Sequence, residues 1–82
     1  MTTTIELSFY PFSDTYRELI QEVIRKLNEY EDLRIIPGPT SSVVVGEHDC
    51  VMNCLKEVLE WSFAKHGKSV FVAKILLDYD PS

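Results

Sequence analysis

The chain has 82 residues, of which 45% are hydrophobic and 26% charged, with a formal net charge of −5. This composition suits one small soluble domain, and a chain of this length buries only ~60–65% of the surface its unfolded form exposes. The acidic balance and eight scattered basic residues exclude a phosphate-binding surface, so no nucleic-acid partner is expected.

"MTTTIELSFY" has neither a basic n-region nor a long apolar stretch. No apolar run approaches the ~20 residues a bilayer span requires. A cytoplasmic protein without a membrane partner is therefore expected. The only cysteines, Cys50 and Cys54, lie four apart on a predicted helix and could not staple distant segments, which favours reduced thiols.

In "TIELSFY", Ile5, Leu7 and Phe9 alternate with Glu6, Ser8 and Tyr10, the pattern of a half-buried strand that Pro11 ends. Thr15 and Glu18 form a T-x-x-E capping signature, with Ser13 and Asp14 as competing caps. Tyr16, Leu19, Ile20, Val23, Ile24, Leu27 and Tyr30 then follow three-four spacing, predicting an amphipathic helix. "LRII" reads as a second strand, closed by the turn-forming "PGPT". "SVVVG" reads as a central third strand. A second helix starts near His48–Asp49, where Glu47 and Asp49 suit the positive end of the helix dipole, and stops at Gly67. Its inward stripe is Val51, Leu55, Val58, Leu59 and Ser62, widened by Met52 and Phe63. "SVFVAKILLDY" is the last strand.

This order predicts one α+β domain over residues 1–82: a ferredoxin-like βαββαβ sandwich, with a four-stranded antiparallel sheet and both helices on one face. The first and third strands, read here as parallel neighbours, place Ser42 beside Ser8. The uncovered face is then expected to carry Ser8, Tyr10, Ser42, Val44, Val70, Val72 and Leu76. Such a face predicts an interface or a ligand site, and hence a homo-oligomer.

"PTSSVVVGEHDC" gathers Ser41, Ser42, His48 and Asp49, but adjacent residues at a helix start project about 100° apart, so Asp49 cannot orient the His48 ring as a triad requires. Helix capping explains Glu47, His48 and Asp49, and no catalytic residue is expected. His48, Asp49, Cys50 and Cys54 lack the second ligand pair of a structural zinc site, so no metal or cofactor is expected. "GPTSSVVVG" has no Gly-Lys-Ser/Thr ending and leads into a strand, unlike a phosphate loop. "YPFSD" lacks the arginine and glycines an acylphosphatase loop would need. What remains is a non-catalytic small-molecule site of hydroxyls and aromatics. Ser8 and Ser42 would meet an edge of alternating donors and acceptors, and Tyr10 or Phe12 would stack on a flat ring. The same residues could instead line an oligomer interface.

"LSFYPFSDTY", "TSSVVVGEHDCVMNCLKE" and "AKHGKSVFV", in that order, resemble the thiamine/hydroxymethylpyrimidine-binding family of the YkoF type and related single-domain thiamine-binding proteins. The shared elements are Ser8, Tyr10 and Pro11 in the first strand, Asp14 and Tyr16 opening the helix, then Ser41, Ser42, Gly46 and Gly67. The resemblance implies a ferredoxin-like fold, self-association to a dimer or tetramer, and non-catalytic binding of thiamine or hydroxymethylpyrimidine. Carried over by position, the ligand-binding residues are Ser8, Tyr10, Ser41 and Ser42, with Glu47 added at the strand's end. Two positions depart from the pattern: Ser42 stands where threonine is common, and Val45 where a basic residue can precede the glycine.

Overall fold

The computed structural model describes residues 1–81. Its elements are β1 (Thr2–Pro11), α1 (Tyr16–Leu27), β2 (Arg34–Pro37), β3 (Ser42–Glu47), α2 (His48–His66) and β4 (Ser69–Leu77). The sheet runs β2-β3-β1-β4 with every neighbour antiparallel, which is the ferredoxin-like arrangement. β1 and β3 are thus adjacent but antiparallel, not parallel.

That pairing decides which side chains share a face. Residues directly opposite in an antiparallel pair project to the same side. Ile5 pairs with Val44, and Leu7 with Ser42. Ile5 and Leu7 are buried under the helices, so Ser42 and Val44 lie on the helix-covered face too. The expectation that they share the open face with Ser8 and Tyr10 is corrected by this register.

The core is built around Ile5, Leu7, Phe9, Val23, Leu27, Val44, Val51, Cys54 and Val58, with the Phe9 and Phe71 rings stacked at 4.6 Å. Gly46 belongs to the same packing: a Cβ there would run into the Leu33 side chain, so glycine lets Leu33 lie against β3. The helices pack on β1 and β3. β4 is left largely uncovered, and Leu59, Phe63, Ile75 and Leu77 remain exposed, so Leu59 and Phe63 do not belong to the buried stripe of α2.

On the open face, Thr4 and Val45 are only 3% and 4% exposed although no helix covers them. Asp78, in the left-handed region at φ 55°, turns the chain back over β1. The Thr4 hydroxyl donates to the Tyr79 carbonyl at 2.6 Å, and Arg34 pairs with Asp80 at 2.6 Å. The tail therefore straddles the Thr4–Val45–Arg34 row. Farther along the face, Tyr10, Val70, Val72 and Ile36 stay exposed.

The helix ends follow different logics. Thr15 caps α1 without a side-chain bond to the helix, because its hydroxyl meets Ser13 at 2.9 Å, so the predicted capping box does not form. α2 is capped by Glu47, whose carboxylate accepts from the Asp49 and Cys50 amides at 3.0 and 3.3 Å.

The helices are also tied together. Glu22 of α1 faces Lys65 at 2.8 Å and His66 Nε2 at 3.0 Å, while Ser62 Oγ lies 3.2 Å from His66 Nδ1. The hydrogen bond from Lys65, then that from His66, holds the Glu22 carboxyl below its ordinary value. A depressed acid contributes stability fully above the unfolded pKa, near 4.5, and loses it as pH falls through the lower folded value. Glu22→Gln should therefore melt below the wild type at pH 7, with the gap closing below pH ~4.5, as followed by thermal unfolding across pH.

Candidate functional site

Two adjacent spaces lie where the end of β1, the helix α1 and the β2–β3 loop meet. The inner one is a cavity of about 60 Å³ bounded by Leu7, Phe9, Ile20, Val23, Ile24, Leu27 and the segment 38–42. The outer one is an open groove of about 300 Å³ bounded by Phe9, Tyr10, Pro11, Tyr16, Ile20, Pro39 and Thr40. They share Phe9, Ile20, Pro39 and Thr40 as a partition. No lining residue of either space is charged.

Chain geometry explains the partition. The loop between β2 and β3 closes on itself through the Gly38 amide, which donates to the Ser41 carbonyl at 2.8 Å. A Cβ on Gly38 would stand 2.9 Å from that same carbonyl oxygen, so the tight turn needs glycine. Pro37 and Pro39 flank it and fix their own φ angles. On the other wall, Ile20, Val23, Ile24 and Leu27 follow the three-four spacing that turns one stripe of α1 to the sheet.

The predicted site residues divide between these features. Tyr10 borders the groove, and Ser41 and Ser42 border the inner cavity. Ser42 is only 7% exposed and faces a space, and its hydroxyl has no partner among the described residues. Ser8, on the opposite face of the sheet, reaches the site indirectly: its hydroxyl donates to the Thr40 carbonyl at 3.3 Å.

Glu47 is not brought together with the others. It ends β3 opposite Thr2, while Ser42 begins it opposite Leu7. Five residues at ~3.4 Å each separate them by ~17 Å. Its carboxylate is also committed to capping α2.

The sequence did not single out Phe9, Ile20, Pro39 or Thr40 as site residues, since two read as core and two as turn. A loop with two prolines around one glycine was the available signal.

The His-Asp-Cys run holds structure together. His48 Nδ1 lies 2.7 Å from the Thr3 hydroxyl, and its amide donates to the Met1 carbonyl at 2.9 Å. Burial pushes the Cys54 thiol up to about 11, and a hydrogen bond with Asp32 raises Cys50, so neither is an activated thiolate. Among the described residues no group of three or more His, Cys, Asp and Glu side chains converges on a metal position. A Ser-His-carboxylate array does occur, as Ser62, His66 and Glu22, but Ser62 is fully buried and no substrate reaches its hydroxyl. Among the described residues no helix is long and apolar enough to cross a membrane.

No family model matches the chain, and no curated protein matches it. Solved structures do. A Streptococcus pneumoniae protein, SP2199, superposes with a TM-score of 0.86 at 26% identity, over 96% of this chain and 89% of its own. A Thermotoga maritima protein provisionally named for thiamine biosynthesis/salvage superposes with a TM-score of 0.82 at 23% identity, over 98% and 85%. The fold is the one the resemblance implies. The Methanocaldococcus jannascii protein MJ1052 shares it as well, with a TM-score of 0.80 at 18% identity over 99% and 84%. A Bacillus cereus domain of unknown function, DUF77, does so with a TM-score of 0.78 at 19% identity over 100% and 79%.

Proposed function

We propose that this protein binds thiamine or its hydroxymethylpyrimidine precursor without catalysis, in the cleft between α1 and the β2–β3 loop, as a carrier, buffer or sensor. The observation that carries the reading is Ser42: a residue only 7% exposed, whose hydroxyl has no partner among the described residues, on a cavity that adjoins a groove bordered by tyrosines. No buried side-chain polar atom is left unsatisfied among the described residues, so the Ser42 hydroxyl keeps some contact with solvent and is available to a ligand. A hydroxyl both donates and accepts, which suits the amino group and ring nitrogens of an aminopyrimidine.

The groove supports the other half of the ligand. Tyr10 and Tyr16 border it and are exposed, and a thiazolium cation stacked on one of their rings would gain ~0.5–2 kcal/mol. Its volume of about 300 Å³ falls at the small end of ligand pockets. The neighbour provisionally named for thiamine biosynthesis/salvage agrees with this ligand class.

Self-association accompanies the reading. β4 presents an unpaired edge, flanked by exposed Val70, Val72, Ile75 and Leu77 on its two faces and by Phe63 of α2. Exposed apolar edges of this kind are stabilised by pairing with a second copy. A dimer or tetramer in the cytoplasm fits that surface, and a module whose role is association alone would use the same edge.

Isothermal titration with thiamine, its phosphates and hydroxymethylpyrimidine tests the reading. Saturable heat is expected with at least one of them, and Ser42→Ala should weaken it about two- to tenfold, the loss of one neutral hydrogen bond. The melting temperature should barely move, because the Ser42 hydroxyl bonds to no other described residue and the backbone pairing of β3 is kept. Absence of heat at millimolar ligand would remove the proposal.

A further inference from the structure

We infer that Ser8 works as a releasable latch on the site: it holds the Pro39–Thr40 segment closed over the inner cavity, and ligand entry breaks that hold. The inference rests on the ligand reading above and concerns how the same site opens.

Volume forces the point. An enclosed apolar cavity that binds benzene measures about 150 Å³. The inner cavity measures about 60 Å³, room for one or two waters, so a pyrimidine ring cannot reach Ser42 in this conformation. The outer groove is large enough, and only Phe9, Ile20, Pro39 and Thr40 stand between the two. Phe9 is packed against Phe71 and His66, and Ile20 rides on a helix whose neighbouring side chains are in the core. Pro39 and Thr40 are the part of the partition that lies outside any helix or strand. They lie in a loop closed by one backbone bond, from the Gly38 amide to the Ser41 carbonyl.

One side chain outside the cavity restrains them. The Ser8 hydroxyl, on the far face of the sheet, donates to the Thr40 carbonyl at 3.3 Å. That is long for an O–H···O bond, whose usual separation is about 2.7–2.8 Å, and it is open to water. A weak, solvent-exposed bond suits a restraint that must be released at low cost. Swinging Thr40 outward merges the cavity with the groove and brings the ring to Ser42.

The latch makes a prediction opposite to that of direct contact. If Ser8 touched the ligand, Ser8→Ala would weaken binding. As a latch, its removal raises the fraction of the open, competent form, and apparent affinity rises with that fraction. Ser8→Ala should therefore bind thiamine or hydroxymethylpyrimidine about two- to fivefold more tightly, the range set by one weak hydrogen bond. The amides of residues 38 and 40–42 should exchange with deuterium faster by a similar factor, and Ser8→Thr, which keeps the hydroxyl, should restore both. Unchanged or weaker binding by a folded Ser8→Ala variant, or unchanged loop exchange, overturns the latch. If the wild type binds neither compound, the ligand class falls, and the exchange rates alone decide whether Ser8 restrains the loop.

Discussion

Phe9→Ala is expected to cost about 3–5 kcal/mol of folding stability, the usual range for removing a buried aromatic ring. Phe9 is 8% exposed, stacks on Phe71 at 4.6 Å, lies 5.8 Å from the His66 ring and forms a wall of both spaces. Its ring therefore joins β1, β4 and α2, and no neighbour can close in without giving up another contact. A domain of 82 residues has only ~4–12 kcal/mol of stability in total, so the loss is about a quarter of it or more. The melting temperature should fall by at least ~12 °C at ~4–8 °C per kcal/mol. Urea unfolding followed by circular dichroism measures it, and a loss under ~1 kcal/mol would mean that the ring is not the hub described.

Ile20→Trp should leave the protein folded and abolish binding of thiamine and hydroxymethylpyrimidine. Ile20 is half-buried and lines both the cavity and the groove. A larger ring there fills the passage between them, while its outer edge can tilt toward solvent. The stability change should stay near the ~1 kcal/mol lower end for overpacking, because the position is not enclosed. Binding should drop more than about 100-fold, a loss of ~2.7 kcal/mol. A folded variant with wild-type affinity would place the ligand elsewhere on the molecule.

The element order was legible because its signals are local. Ile5, Leu7 and Phe9 alternate cleanly, α1 carries an unbroken three-four stripe, and acidic Glu47 marks the start of α2, where its carboxylate does cap the helix. The facing of Ser42 was not legible. In "TSSVVVGE" two serines precede three valines, so no period of two shows which residues point inward, and a slip of one residue exchanges the faces. Only the pairing of Leu7 with Ser42, a contact between distant segments, settles it. Tyr10, Ser41 and Ser42 were found as residues but not as a cleft, because the cleft depends on where α1 packs over the loop. The tail over Thr4 and Val45 left no signal in "DYDPS", since its anchors on Thr4 and Arg34 are far away in sequence.

A two-dimensional NMR titration of the labelled wild-type protein with thiamine and with hydroxymethylpyrimidine tests the central claim most directly. Saturable shifts concentrated at Ile20, Val23, Ile24, Gly38 and Thr40–Ser42, with Glu47 at the far end of β3 unmoved, are the predicted result. Saturable shifts confined to β4 or the open sheet face, or no saturable shift at millimolar ligand, would contradict it.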